Sequence, residues 1–185
     1  YSKILFSCIS IFIGVIFGSF INVVIYRLPN NLSILRPRSF CPKCKKNIQW
    51  HENIPIYSWI MLKGKCSKCH KEISIKYPIT ELFTGLLFFL SFYAIPNNIN
   101  FENFIITILS NWALTLILLP ISIIDYNFLW IPNSLIKIGI IFGFVISIFS
   151  AFLKNQEIIS NVFENLISAI LGFLIIVLIM KFGEL

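Results

Sequence analysis

Four of the five cysteines stand in two pairs whose spacing suits a metal ion. They occur as Cys41-Pro-Lys-Cys44 and Cys66-Ser-Lys-Cys69, with 21 residues between the pairs. A pair separated by two residues can turn back so that both thiolates reach one ion, and two such pairs complete a tetrahedral zinc site. We therefore expect these four cysteines to hold a structural zinc ion. The neighbouring lysines favour the thiolate form that a metal requires.

Two other interpretations of these cysteines remain open. Two disulfides would suit an oxidising compartment, and reduced cysteines without a metal would suit a vestigial site. His70 directly follows Cys69 and could replace one thiolate, although a solvated surface histidine is the simpler interpretation, as it is for His51. Cys8 lies in an apolar run and is expected to pack as a small apolar residue.

The chain contains a single aspartate, Asp125, at the end of an uncharged apolar run. A carboxylate at the end of a membrane helix is costly, so catalysis is one interpretation of it. The other is an interfacial aspartate that anchors its helix or caps the next one, which Pro132 begins. Acid–base catalysis by a carboxyl pair needs two such groups close enough to share one proton. A single aspartate cannot provide that pair.

The composition indicates that the elements carrying these residues lie in a bilayer. The 185 residues are 57% hydrophobic and 12% charged, about half the charged fraction of an average globular protein. We predict an all-α polytopic membrane protein with about five transmembrane helices and a small cytoplasmic zinc-binding insertion between the first two. The predicted spans are Ile4 to Tyr26, Leu82 to Ile95, Asn103 to Ile124, Leu135 to Leu153 and Asn165 to Met180.

The basic residues predict the orientation. Eleven of the fifteen Lys and Arg residues lie in residues 27–78, and the positive-inside rule places that segment in the cytoplasm. The N-terminus then lies outside an inner or plasma membrane, with Asp125 at the cytoplasmic face. A cleaved signal peptide is the alternative for the first run, which lacks a small-residue cleavage site. The basic charge suits anionic lipid, so we expect a membrane-lipid partner and no nucleic acid.

The same pattern predicts three units and two helix contacts. The units are the first transmembrane helix at 1–26, a cytoplasmic double-knuckle zinc module at 27–78, and a helical membrane core at 79–185. Gly14 and Gly18 share a helix face, as do Gly139 and Gly143, and such pairs allow another helix to approach closely. Asn22 is expected to hydrogen-bond a neighbouring helix, with a substrate contact as the alternative.

Several ordered motifs resemble a known family. They are Gly18-Ser-Phe-Ile-Asn22 with Arg27-Leu-Pro29, the two knuckles enclosing Trp50-His-Glu-Asn-Ile-Pro55, and Tyr77-Pro78-Ile-Thr-Glu81. This set resembles the N-terminal half of the type IV prepilin peptidases, the leader peptidase/N-methyltransferases of pilus, competence and type II secretion systems. The stretch Ile124-Asp125-Tyr-Asn-Phe-Leu-Trp-Ile-Pro132-Asn133 is similar to the family's first catalytic aspartate motif. The resemblance runs from about Gly14 to Asn133, nearly two-thirds of the chain.

The resemblance implies an intramembrane or interfacial aspartic endopeptidase that removes the leader of prepilin-like proteins, with Asp125 catalytic. It also implies N-methylation of the new terminus from S-adenosylmethionine, for which no glycine-rich strand–turn–helix site is present. The family's second aspartate, in a Gly-x-Gly-Asp motif, is missing, and Glu184 in Phe182-Gly183-Glu184-Leu185 is only a minor candidate. We therefore expect a C-terminally truncated chain that is inert as a protease. The alternative is a non-catalytic membrane adaptor or pseudoenzyme of a pilus or secretion assembly.

Overall fold

The computed structural model describes residues 2–96, 98–153 and 162–171. Within these ranges the regular structure is helical, and extended chain pairs at two isolated β-bridges, Phe40–Asn47 and Lys65–Glu72. The predicted all-α class is therefore confirmed. The helices are α1 (Ser2–Arg27), α2 (Tyr57–Met61), α3 (Lys76–Tyr93), α4 (Phe101–Phe128) and α5 (Asn133–Leu153), with a 3-10 turn at Trp50–Asn53 and a short apolar helix at Val162–Leu171.

Three described helices are long and apolar enough to cross a membrane. They are Lys3–Arg27, Phe101–Phe128 and Asn133–Leu153, which match the first, third and fourth predicted spans. The second predicted span lies in α3, which begins six residues earlier, at Lys76, and carries Glu81. The fifth predicted span overlaps the helix at Val162–Leu171, and its residues 172–180 lie outside the described residues. Of the five predicted spans, three therefore correspond to described helices that are long and apolar enough to cross a membrane.

Glycine faces bring α1 and α3 into close contact. A Cβ placed on Gly14 would lie 2.8 Å from the Cα of Gly85, and one on Gly18 would lie 2.6 Å from the Cα of Glu81. Real side chains do not approach backbone this closely, so the predicted small-residue contact is confirmed for this pair. A Cβ on Gly143 would meet nothing within 4 Å among the described residues, and the second glycine pair makes no comparable contact there.

Aromatic packing joins α4 to this pair of helices. Phe88 of α3 is completely buried and stacks on Trp112 of α4, with 4.6 Å between the ring centroids. Closer to the C-terminal end of α4, Ile124 is also completely buried and packs with Val24 of α1 and Leu135 of α5. Two apolar contacts far apart along α4 therefore fix its rotation about its own axis.

Pro120 lies inside α4, between these two contacts. Proline has no backbone N–H, so the helix loses one hydrogen bond at this point and the ring crowds the preceding turn. The Pro120 side chain is fully buried. The final turns of α4, which carry Asp125, therefore follow a weakened position in the helix.

Candidate metal centre and carboxylate site

The first knuckle is a tight turn closed by backbone hydrogen bonds. The Cys41 N–H donates to the Lys46 carbonyl at 3.0 Å, and the Lys45 N–H donates back to the Cys41 carbonyl at 2.8 Å. Lys45 closes the turn with φ of 58°, in the left-handed region that the reversal of the chain requires. The antiparallel bridge between Phe40 and Asn47 flanks the turn.

The second knuckle repeats the first with an offset of 25 residues. The Cys66 N–H donates to the Lys71 carbonyl, and the His70 N–H donates back to the Cys66 carbonyl, each at 2.9 Å. His70 takes the left-handed position with φ of 55°, and the bridge joins Lys65 to Glu72. The same turn conformation therefore occurs twice, and each turn directs its two thiols to the same side.

The two knuckles bring all four thiols together. Their sulfur atoms lie within 4.8 Å of one another, and Cys41 and Cys69 are 4.0 Å apart. A zinc ion at about 2.3 Å from each sulfur needs sulfur–sulfur distances of about 3.8 Å. The cluster would have to contract by at most about 1 Å, so the donor set fits a tetrahedral ion. All the cysteines are free thiols, and the geometry does not contain the two disulfides of the alternative interpretation.

The surroundings of the cluster favour the thiolate form of Cys66 and disfavour that of Cys69. The backbone N–H groups of Cys69 and Lys68 point at Cys66 and lower the pKa of its thiol to about 7. The Lys71 N–H has the same effect on Cys69, but burial and the other three thiols outweigh it and raise the pKa of Cys69 to about 11. Four adjacent thiolates repel one another, and a bound divalent cation is the group that stabilises them together.

Neither histidine belongs to this cluster. His70 is exposed, and its role is to adopt the left-handed turn position after Cys69. His51 is also exposed, and its ring packs edge-on against Trp50. The interpretation of both histidines as solvated surface residues is therefore confirmed.

Arg27 organises the chain that connects α1 to the first knuckle. Its guanidinium donates to the backbone carbonyls of Ser33, Ile34, Pro37 and Arg38, at distances from 2.7 to 3.3 Å. The side chain is 4% exposed. Arginine suits this task because its planar head presents five donors in fixed directions. The sequence alone gave no sign of this role, because Arg27 was one basic residue among eleven in its segment.

Glu81 joins the module to the membrane helices. Its carboxylate accepts the Ile56 N–H at 2.7 Å, and the Ser19 and Asn22 side chains face the same carboxyl. Ile56 has φ of 59° and ψ of −52°, and the Tyr57 N–H donates to the Pro55 carbonyl across it. This is a γ-turn, which is rare for a β-branched residue. Glu81 is 7% exposed.

Asn22 makes the helix contact expected of it. Its side-chain amide donates to the Tyr77 carbonyl at 3.1 Å, near the start of α3. Asn22 and Glu81 also line a cavity of about 390 Å³ between the helix pair and the knuckles. Tyr26, Trp59 and Cys66 contribute to the same wall. The volume falls in the range of small-ligand sites, and several polar groups converge on it.

Asp125 lies apart from the cysteine cluster, in the last turn of α4. Its carbonyl accepts the Leu129 N–H at 2.7 Å, and Leu129 ends the helix in the left-handed conformation. The Asp125 side chain is exposed, and within the described ranges its carboxylate has no hydrogen-bond or ion-pair partner. The Asp125 side chain therefore forms no cap on α5 among the described residues. Glu184 lies outside the described residues.

Comparison with known proteins identifies the first half of the structure. Residues 12–95 match the family described as Bacterial Peptidase A24 N-terminal domain. The matched range comprises most of α1, both knuckles and α3. The resemblance to the type IV prepilin peptidases that the motifs indicated is confirmed.

Curated relatives extend the similarity further along the chain. The prepilin leader peptidase/N-methyltransferase of Myxococcus xanthus is 38% identical over 143 residues, which cover 77% of this chain and 41% of that protein. The Bacillus subtilis protein of the same name is 34% identical over 169 residues, which cover 90% of this chain and 61% of that protein. The type 4 prepilin-like proteins leader peptide-processing enzyme of Escherichia coli is 36% identical, covering 65% and 49%.

The chain spans about half the length of the curated relatives it matches. The match to the Bacillus subtilis protein covers 90% of the chain. The knuckles and Asp125 lie too far from both chain ends to fall in the part that is left unmatched. No solved structure matches the chain.

Proposed function

We propose that this chain forms part of a membrane-bound prepilin leader peptidase in which Asp125 supplies one of two catalytic carboxyl groups. The similarity to leader peptidases from several bacteria, over most of this chain, supports this function. The reaction would be hydrolysis of the bond between a leader and an apolar segment of a prepilin-like protein. That substrate would lie in the bilayer with its cleavage site at the cytoplasmic interface.

Asp125 would supply one of the two carboxyl groups that this hydrolysis requires. One carboxylate would take a proton from the attacking water, while a second, protonated carboxyl would donate a hydrogen bond to the scissile carbonyl oxygen. Two adjacent carboxyls hold these different states because they share one proton. Asp125 is the only aspartate of the chain, so the 185 residues alone should be inert unless Glu184 acts as the partner.

The position of Asp125 supports a role other than stability. The last turn of a helix carries the negative end of the helix dipole, where a carboxylate is unfavourable by about 0.3–1 kcal/mol. Asp125 occupies such a turn and is exposed without a cationic partner among the described residues. Its neighbour Ile124 is locked between α1 and α5, so the helix end that presents the carboxyl is held in place.

The cysteine cluster is proposed to bind one structural zinc ion through Cys41, Cys44, Cys66 and Cys69. The 27–78 module is small and has few buried apolar residues, so a metal would supply the stability that a core does not. The relatives from Myxococcus xanthus and Bacillus subtilis are named as N-methyltransferases as well as leader peptidases, so we propose methylation of the new amino terminus as a second reaction of the complete protein. S-adenosylmethionine would donate the methyl group, and the cavity near Asn22 and Glu81 is the place we would test for its binding.

Leader removal by the protein expressed from its complete gene tests the peptidase assignment. Asp125→Asn should abolish cleavage of a reconstituted prepilin, because the amide can neither ionise nor share a proton. Glu102→Gln is a matched control, since it removes an exposed carboxyl at the opposite end of the same helix. The control should retain cleavage, and both variants should retain zinc. Cleavage that persists in Asp125→Asn would remove Asp125 from the catalytic pair and with it the aspartic-peptidase assignment.

The orientation is tested separately. We propose that residues 27–78 and Asp125 face the cytoplasm and that the N-terminus lies outside. In a Cys8→Ser background, a cysteine at Ser33 should resist an impermeant thiol reagent in intact cells, whereas one at Asn98 should react. Both positions are exposed. Reaction at Ser33 with protection at Asn98 would reverse the topology and contradict cleavage at the cytoplasmic face.

A further inference from the structure

An uncharged apolar segment interrupts the basic module. Residues Ile54 to Leu62 contain no charged side chain, although Glu52 precedes them and Lys63 follows. The side chains of Tyr57, Ile60 and Met61 are 55%, 60% and 63% exposed. In a module surrounded by water, such a concentration of exposed apolar groups would be an unfavourable patch that needs a partner.

This segment lies beside the middle of α1 rather than beyond its end. Ile54, Pro55 and Tyr57 line one groove together with Cys8, Ile11, Phe12 and Val15 of α1. Val15 precedes Arg27 by twelve residues, which corresponds to about 18 Å along a helix. If α1 crosses the bilayer, as its length and composition allow, the tip of the module reaches the hydrocarbon depth. Phe12, which is 69% exposed, faces outward at the same level.

The backbone of the segment is arranged for an environment without water. The N–H groups of Tyr57, Ser58, Ile60 and Leu62 all donate to carbonyls within the segment, and the Ile56 N–H donates to the Glu81 carboxylate. Non-helical backbone is tolerated at membrane depth only where its polar groups are satisfied by protein. This requirement gives a physical reason for a buried carboxylate at the start of α3.

Two polar side chains of the segment are satisfied as well. The Ser58 hydroxyl donates to the His51 carbonyl at 2.9 Å, and the Trp59 indole N–H donates to the Ile73 carbonyl at 3.0 Å. Both bonds point back toward the module, so the opposite side of α2 presents only Tyr57, Ile60 and Met61. Apart from the Tyr57 hydroxyl, the side chains exposed on that side are apolar, and the polar groups of Ser58 and Trp59 face inward.

We propose that residues 54–62 form a re-entrant segment whose exposed face contacts the acyl chains of the surrounding phospholipids. The knuckles and their lysines remain at the membrane surface, where they meet lipid headgroups. The segment would anchor the module against α1 and α3 and fix its height relative to the bilayer. The proposal depends on membrane insertion of α1 and is independent of the peptidase chemistry.

Spin labelling of the intact protein in vesicles tests this contact. The protein from its complete gene, zinc-loaded and carrying Cys8→Ser, is reconstituted in phosphatidylcholine with phosphatidylglycerol and labelled with a nitroxide at Met61→Cys. Leu35→Cys is the matched control, because Leu35 is an apolar residue of the same module and is 86% exposed. The parent without an introduced cysteine must take up no label, which shows that the knuckle thiols are protected.

The readout is collision of each nitroxide with oxygen, which concentrates among acyl chains, and with a water-soluble nickel chelate. At Met61 oxygen should be the stronger relaxing agent, and at Leu35 the nickel chelate should be. Ile60→Cys should behave as Met61 does, which guards against a local effect of one substitution. Equal access of the nickel chelate at positions 61 and 35 would place the segment in water and overturn the proposal. Exclusion of both agents from positions 60 and 61 would also overturn it, because the face would then be covered by protein.

Discussion

Substitution of Gly18 by alanine tests whether the close approach of α1 and α3 holds the two helices together. The added Cβ would lie 2.6 Å from the Cα of Glu81 and 3.1 Å from the Thr84 side chain. The first of these contacts is with backbone, so no rotation of a side chain can relieve it. The same substitution at Gly143 meets nothing within 4 Å among the described residues, which makes Gly143→Ala a matched control in another helix of the same protein.

The magnitude follows from two opposing effects. Carbon atoms in contact lie about 3.5–4.0 Å apart, so Gly18→Ala must push α3 away by about 1 Å. Overpacking of this kind costs about 1–3 kcal/mol. Alanine also favours a helix over glycine by about 1 kcal/mol, and that gain applies equally to both variants. We therefore expect the free energy of unfolding of Gly18→Ala to lie about 1–3 kcal/mol below that of Gly143→Ala.

Reversible unfolding of the purified protein in mixed detergent and dodecyl sulfate micelles measures this difference. Helical circular dichroism and tryptophan fluorescence report on the same transition, and Trp112, one of four tryptophans, stacks on Phe88 of α3. The displacement should also lengthen the contact between Glu81 and Ile56, so proteolysis of the module should increase in Gly18→Ala alone. Equal unfolding free energies for the two alanine variants would show that the glycine face does not determine the spacing of the helices.

Three further outcomes follow from the module. Metal analysis should find about one zinc per chain, and Cys41→Ser should lower that content whereas Cys8→Ser should not; unchanged metal in Cys41→Ser would contradict the site. Arg27→Lys should make residues 28–40 sensitive to limited proteolysis, since one ammonium cannot reach four carbonyls, while the exposed Arg36→Lys should not. Glu81→Leu should lower the free energy of unfolding by about 1–3 kcal/mol because the γ-turn amide loses its acceptor. The free energy of unfolding of Glu81→Gln should stay near that of the parent. Similar losses of stability in both variants would show that the charge of Glu81 matters rather than its hydrogen bond.

The membrane helices and the cysteine cluster were the predictable parts of this protein. Apolar run length predicts α1, α4 and α5 because the bilayer sets the length that a span requires. The spacing of the cysteines predicts that the four thiols lie together, because two residues between cysteines define the turn that directs both thiols of a pair to one ion. The start of α3 was placed too late because the prediction used the last charge, Glu81, as a boundary. A helix continues through charged residues when they are satisfied, and Glu81 is.

The contacts that connect the module to the helices could not be predicted in the same way. Glu81 and Ile56 lie 25 residues apart, and nothing in their separation indicates contact. Isoleucine disfavours the positive φ of the γ-turn that Ile56 forms, so local preference predicts the opposite of the observed turn. The four carbonyl acceptors of Arg27 become visible only when the loop has folded around it. In each case a tertiary contact overrides or supplements the local signal.

The last turns of α4 form a short arm that pivots at Pro120 when the bend of the helix changes. Asp125 lies five residues beyond Pro120, which is about 7.5 Å along the axis. A change of about 10° in the bend at Pro120 would therefore move the Asp125 carboxyl by about 1.3 Å, and an error of about 1 Å in the placement of a reacting group costs on the order of 100-fold in rate. The contact of Ile124 with Val24 and Leu135 opposes such a swing. Small changes in the volume of that apolar contact should therefore tune the carboxyl position without altering the carboxyl itself.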